Sequence, residues 1–230
     1  MAFQVIGLML AAYLLGAVPF VYLLGRIAGV DLRDEGSRNV GGTNLWRTVG
    51  PFTGILGAVL DIGKGVAPVL VARALDLNDS VIGLAAIAAV AGQCWPVFLR
   101  FQGGRGISVV AGVVIALSPM TFFWAVMPAG AGLAAHVVMG RRKQQTTAAV
   151  LGKESKDSRT VPLFMMISIV ILPFAAVALG DSPATVLTFA VLSLILIFRR
   201  LTAGLRQDRG SPLALSARLR NRFLYDRAQA

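Results

Sequence analysis

The chain has 230 residues, of which 56% are hydrophobic and 14% charged, and its 22 Lys and Arg against 11 Asp and Glu leave a net charge of +11. A mean hydropathy of +0.74 excludes a disordered chain and an ordinary cytosolic enzyme, since soluble domains carry about 25% charged residues. One Cys allows no intramolecular disulfide, and one His beside it nearly excludes a zinc site of the usual N/S kind.

What remains is an all-α polytopic membrane protein. A hydrocarbon core about 30 Å thick takes about 20 apolar helical residues. Seven transmembrane helices are expected, over about Phe3–Gly25, Pro51–Leu75, Ser80–Leu99, Gly106–Leu117, Thr121–Met139, Val161–Leu179 and Pro183–Phe198. The fourth is short. The runs are continuously apolar rather than alternating, which argues against β-strand spans. No positive region precedes the first, so it reads as a retained helix and not as a signal peptide. Twenty of the 22 bases follow spans one, three, five and seven, while Asp76, Asp79 and Asp181 lie in the other connections with Arg73 as the one nearby base. The positive-inside rule then places the N-terminus outside and the C-terminus inside. Two parts are expected: a membrane domain over 1–205, and a basic tail over 206–230. In the tail Leu215, Leu219 and Phe223 recur every four residues among Arg218, Arg220 and Arg222. It is either an amphipathic helix on an anionic membrane surface or a positive tail that fixes topology.

Three stretches carry candidate chemistry. Gly36-Ser37-Arg38-Asn39-Val40-Gly41-Gly42-Thr43-Asn44-Leu45-Trp46-Arg47 follows the first span. Its glycines let backbone N–H groups turn toward an anion, its Ser, Thr and Asn add neutral donors, and its Arg residues suit phosphate. It reads either as a phosphate cradle or as a flexible polar loop. Asp61-Ile62-Gly63-Lys64-Gly65 places two opposite charges three residues apart inside a span. They are able to pair on one helix face, and intramembrane charges usually face a polar cavity or each other. Gly103-Gly104-Arg105-Gly106 precedes the fourth span and suits an anion at a helix N-terminus. His136 and Cys94 have no ligand or catalytic neighbours at useful spacing, and Trp46, Trp95 and Trp124 suit interface positions.

These three stretches resemble the motifs of the bacterial acyl-phosphate:glycerol-3-phosphate acyltransferases. Residues 36–47 resemble GS-x-N-[IV]-G-[AG]-TN-x-x-R, residues 61–65 resemble D-x-x-KG, and residues 92–106 resemble G-H-x-[FY]-P-V-F-x-x-F-x-GGKG. The likeness runs over nearly the whole chain. The chain departs from the pattern with Gln93 for His, Arg105 for Lys, Val109 for Thr and Pro162 for a Ser. The third motif, H-R-x-N-I-x-R-L-x-x-G-x-E, keeps Arg200 and Gly204, while its His, Asn and Glu align with Leu194, Ile197 and Arg206.

The resemblance implies transfer of a fatty acyl group from acyl phosphate to glycerol 3-phosphate at the cytoplasmic face of the bacterial inner membrane. No cofactor, metal or nucleic acid is expected, membrane lipid surrounds the protein, and the oligomeric state is left open. The implied catalytic residues are Ser37, Asn39, Arg47 and Arg105. The implied substrate-binding residues are Arg38, Gly41, Gly42, Thr43, Asn44, Asp61, Lys64, Gly103, Gly104, Gly106, Ser108 and Arg200. A second function also fits these departures: a membrane binding or scaffold protein that keeps a phosphate pocket without acyl transfer.

Overall fold

The computed structural model describes residues 2–128 and 160–203, with single positions between 130 and 134 and between 214 and 219. His136, Gly204, Arg206 and the basic runs at 141–159 and 206–230 lie outside the described residues, apart from isolated tail positions, and so does the tail's proposed amphipathic face. Pro162 lies in helical backbone.

The described residues are helical throughout their regular structure. In chain order the helices are α1 (Ala2–Ala17), α2 (Phe20–Ile27), α3 (Gly42–Thr48), α4 (Pro51–Ala74), α5 (Asp79–Cys94), α6 (Ile107–Leu117), α7 (119–128), α8 (Thr160–Ala178) and α9 (Pro183–Thr202), with a 3₁₀ turn at Val97–Leu99. Four stretches are long and apolar enough to cross a membrane: Phe3–Ile27, Pro51–Ala74, Asp79–Leu99 and Pro183–Thr202. Caps set several of the starts. Pro51 stands at the first turn of α4, where its missing N–H costs nothing, and the Asn78 and Ser182 side chains accept from Val81 N–H and Thr185 N–H.

Two expected spans differ from simple rods. The first is broken between α1 and α2. Pro19 has no N–H, and its ring excludes a continuous ladder. The chain steps through Val18 N–H to Leu15 O and Phe20 N–H to Val18 O before α2 resumes. The fourth, α6, has 11 residues, a rise of about 16 Å against a core of about 30 Å. It starts level with the middle of α4, where Gly65 packs on Val109. It ends level with the end of α4, where Arg73 donates to Ala116 O at 2.7 Å and Leu117 O at 3.2 Å. So α6 runs beside the second half of α4, and the segment at 95–106 leads to its start. Arg73, the outlying base, is the cation at the C-terminal end of that helix.

Helix α5 is the centre, in contact with α1, α4, α6 and α9. Ala85, Ala86 and Ala89 are fully enclosed. In lipid there is no hydrophobic gain from pairing helices, so close packing of small residues has to hold them. A Cβ added at Gly16 would strike the Ala89 carbonyl, and one at Gly92 the Tyr13 carbonyl, so α1 and α5 touch backbone to backbone. The same holds between α4 and α6 at Gly65 against Val109 and Gly112 against Ile62.

Candidate active site

The first connection is packed and internally hydrogen-bonded. Leu32 and Leu45 are fully buried with Val21 and Val40 in a small core of their own beneath it. Asn44 fixes its course. The Oδ1 atom accepts from Ser37 N–H at 2.9 Å, and Nδ2 donates to Leu32 O at 3.2 Å and Glu35 O at 3.0 Å. Its amide therefore clamps the loop from within. At the proximal end Arg33 grips Asp31, with Nε 3.0 Å from Oδ1 and Nη2 2.6 Å from Oδ2, and also reaches the Tyr22 hydroxyl at 2.8 Å. These hydrogen bonds hold the Asp31 carboxyl well below the usual carboxylate range, and they hold the Arg33 guanidinium above its own. On this frame Arg38, Thr43 and Arg47 are exposed, while Ser37, Asn39, Gly41 and Gly42 are half-buried.

Deeper in, Asp61 and Lys64 are each 2% exposed and pair at 2.8 Å. Gln93 joins them, with Nε2 donating to Asp61 Oδ2 at 2.9 Å and Oε1 accepting from Lys64 Nζ at 2.5 Å. The ammonium also donates to Val18 O at 2.7 Å, with Gly16 O at 3.4 Å and the Phe20 ring centre at 5.3 Å. Its three hydrogens are matched by a carboxylate, an amide and a carbonyl exposed by the α1–α2 break. Lys64 pairs with Asp61 on one helix face and ties three helices at the level of that break.

The third stretch closes over this network. After Cys94 the chain turns through Pro96 and the 3₁₀ turn, where Arg100 and Phe101 take left-handed backbone angles. Gly103 then passes so close to the 93–96 backbone that a Cβ would strike Gln93 O, and a Cβ on Gly104 would sit 2.6 Å from Val40 O. The first and third stretches thus abut at their backbones. Gly106, at φ +80°, caps α6, and Ser108 lies in its first turn.

A small cavity opens where these parts meet, lined by Asp61, Gln93, Val40, Gly103 and Gly104 with Phe20 and Pro96 among its apolar walls. Of the expected residues, Asp61, Gly103 and Gly104 line it directly. Lys64 lies one bond behind it, Arg105 is half-buried in the turn, and Arg200 is buried in the last turn of α9. Two participants were not expected. Gln93, read from the pattern as a lost His, bridges both charges. Arg199, read as a topology base, donates Nε to Gly104 O at 3.1 Å and Nη2 to Gly103 O at 2.7 Å. The helix period of α9 carried that signal, because 192, 196 and 199 share the buried face with 189 and 193. Leu194, aligned with the motif His, is 66% exposed on the other side.

A family model described as glycerol-3-phosphate acyltransferase matches residues 6–206. Among curated relatives, a glycerol-3-phosphate acyltransferase of Rubrobacter xylanophilus is 51% identical over 112 residues, 49% of this chain and 56% of that one. One of Jannaschia sp. is 38% identical over 192 residues, 83% of each chain. The Rubrobacter match thus spans little more than half of that relative's length. A crystal structure of PlsY (YgiH), an integral membrane glycerol 3-phosphate acyltransferase, in its glycerol 3-phosphate form superposes with a TM-score of 0.71 at 27% identity, covering 90% of this chain and 93% of the other. The lysophosphatidic acid form gives a TM-score of 0.70 at 26% identity over the same shares.

Proposed function

Because the chain belongs to the glycerol-3-phosphate acyltransferase family, we propose that it moves a fatty acyl group from acyl phosphate to the 1-hydroxyl of glycerol 3-phosphate. The products are lysophosphatidic acid and phosphate. The 1-oxygen bonds to the acyl carbonyl carbon, the bond from that carbon to the phosphate oxygen breaks, and a substrate phosphate accepts the hydroxyl proton. The observation that carries this reading is the meeting of Val40, Asp61, Gln93, Gly103 and Gly104, from three sequence-distant stretches, around one cavity, with the first and third stretches in backbone contact.

Acyl phosphate is an activated donor, so positioning and charge stabilisation supply most of what the reaction needs. Arg38, Arg47 and Arg105 offer guanidinium groups for the two phosphates. Ser37 and Asn39 lie beside them on the Asn44-clamped loop. Asp61, Lys64 and Gln93 form a neutralised floor that fixes the cavity's walls. No described His is required. The seven-crossing, N-out arrangement in a bacterial plasma membrane belongs to this reading too. The bases on one side support it, and α6 with the 95–106 segment makes one crossing jointly.

Purified protein given acyl phosphate and glycerol 3-phosphate should release phosphate, with Arg47→Ala lowering the rate at least tenfold. No release above a protein-free control would overturn the proposal. Expression in a strain lacking its own acyltransferase separates enzyme from scaffold, since a scaffold inserts without restoring growth.

A further inference from the structure

Arg199 is 8% exposed at the end of α9, and its guanidinium sits 5.8 Å from the Trp95 ring centre. That ring is itself held, with Phe198 at 6.3 Å and the Trp95 carbonyl accepting from the Tyr13 hydroxyl at 2.7 Å. The guanidinium fork is rigid, and it takes two successive carbonyls, Gly103 O and Gly104 O. Both peptide units are trans. Planarity therefore points the N–H groups of Gly104 and Arg105, which share those units, away from Arg199. Gly103 and Gly104 line the cavity beside Gln93 and Asp61, and neither has a side chain to cover its backbone. The motif pattern leaves position 199 unspecified.

We propose that Arg199 is a positioning residue for the substrate phosphate: by holding the Gly103 and Gly104 carbonyls it keeps the N–H groups of Gly104 and Arg105 turned to the cavity, where they receive the phosphate of glycerol 3-phosphate. This rests on the acyltransferase reading above. Without the fork, either carbonyl is free to swing inward and present its negative end to an anion. Arg199 touches no substrate itself, so its loss weakens binding and leaves the chemical step.

The test is steady-state kinetics of the full chain in detergent, with Arg199→Leu, Arg199→Gln and Arg199→Lys, and inorganic phosphate as a competing probe. The Leu and Gln variants should raise the KM for glycerol 3-phosphate and the inhibition constant for phosphate together, at least tenfold, with kcat within about threefold of wild type. Lys, which keeps the charge but loses the two-pronged geometry, should fall between, with at least a threefold rise. If the Leu and Gln variants do not fold, the Lys variant decides. Unchanged KM and phosphate inhibition, or a fall in kcat at constant KM, would overturn the proposal, as would a rise confined to the KM for acyl phosphate. A wild-type protein with no turnover would instead remove the acyltransferase reading, while its phosphate binding, read by calorimetry, would still respond to Arg199 if the positioning is right.

Discussion

Lys64→Met is the sharpest probe of the buried network. It removes the partner 2.8 Å from Asp61 Oδ1 and leaves that carboxylate with the single Gln93 Nε2 contact at 2.9 Å, both residues being 2% exposed. Breaking a buried pair from one side costs about 3–5 kcal/mol. The lost hydrogen bonds to Gln93 Oε1 and Val18 O add about 1 kcal/mol or less each, because Met fills the space but donates nothing. The expected loss is about 4–6 kcal/mol. Asp61→Asn together with Lys64→Met removes both charges, so only the lost hydrogen bonds remain, about 2 kcal/mol. The double variant should thus be more stable than the single one. Reversible SDS unfolding in mixed micelles measures both. A Lys64→Met variant within about 1 kcal/mol of wild type, or a double variant no better than the single, would refute the claim that the pair ties the helix break together.

Three further outcomes follow from the same geometry. Gly65→Ala should destabilise strongly, since its Cβ would strike the Val109 carbonyl, whereas Gly63→Ala, with nothing within 4 Å, should gain about 0.5–1 kcal/mol of helix stability in the same unfolding assay. Asp31→Asn should lower the melting temperature between pH 5 and 7. Folded Asp31 is held ionised while the unfolded group takes its proton near pH 4; below that the unfolded state binds more protons and the advantage fades, so the two melting curves should converge only in stronger acid. Cys94 is fully buried and is the chain's only cysteine, so a membrane-impermeant maleimide should not label the wild type. Ser37→Cys should label only from the cytoplasmic side and Asp181→Cys only from outside, and reversed labelling would overturn the proposed orientation.

Four of the expected spans were legible because a long apolar run with few charges has few alternatives to a helix in lipid. The break at Pro19 inside the first span was not read, and its effect depends on Lys64 arriving to satisfy Val18 O, a contact 46 residues away that no local pattern announces. The first connection reads either as a phosphate cradle or as a flexible polar loop, because Gly, Ser and Asn favour turns. What orders it is Asn44 bonding backbone groups at 32, 35 and 37, together with Leu32 and Leu45 beneath. The pattern singled out Arg200 by its motif position. Packing brings its neighbour Arg199 to the Gly103-Gly104 turn as well, and only the course of that turn over α9 decides which carbonyls are within reach. Gln93 was read as an absence because a pattern marks departures without saying what the replacement does. An amide donates and accepts at once, and between a carboxylate and an ammonium it satisfies both.

The spacing of Asp61 and Lys64 also bears on how the chain enters the bilayer. A bare charge at mid-helix costs about 2.5–3.5 kcal/mol on insertion. Because the partners are three residues apart within α4, they meet as soon as one turn forms, before α5 has been synthesised. Gln93 arrives 29 residues later and the Val18 carbonyl is already in place. The helix therefore carries its own counter-charge across the translocon and exchanges part of it for amide and carbonyl contacts afterwards. A chain with the carboxylate moved from α4 to position 93 could keep a similar folded pair and still fail at biogenesis, because α4 would have to enter the membrane with its lysine unaccompanied.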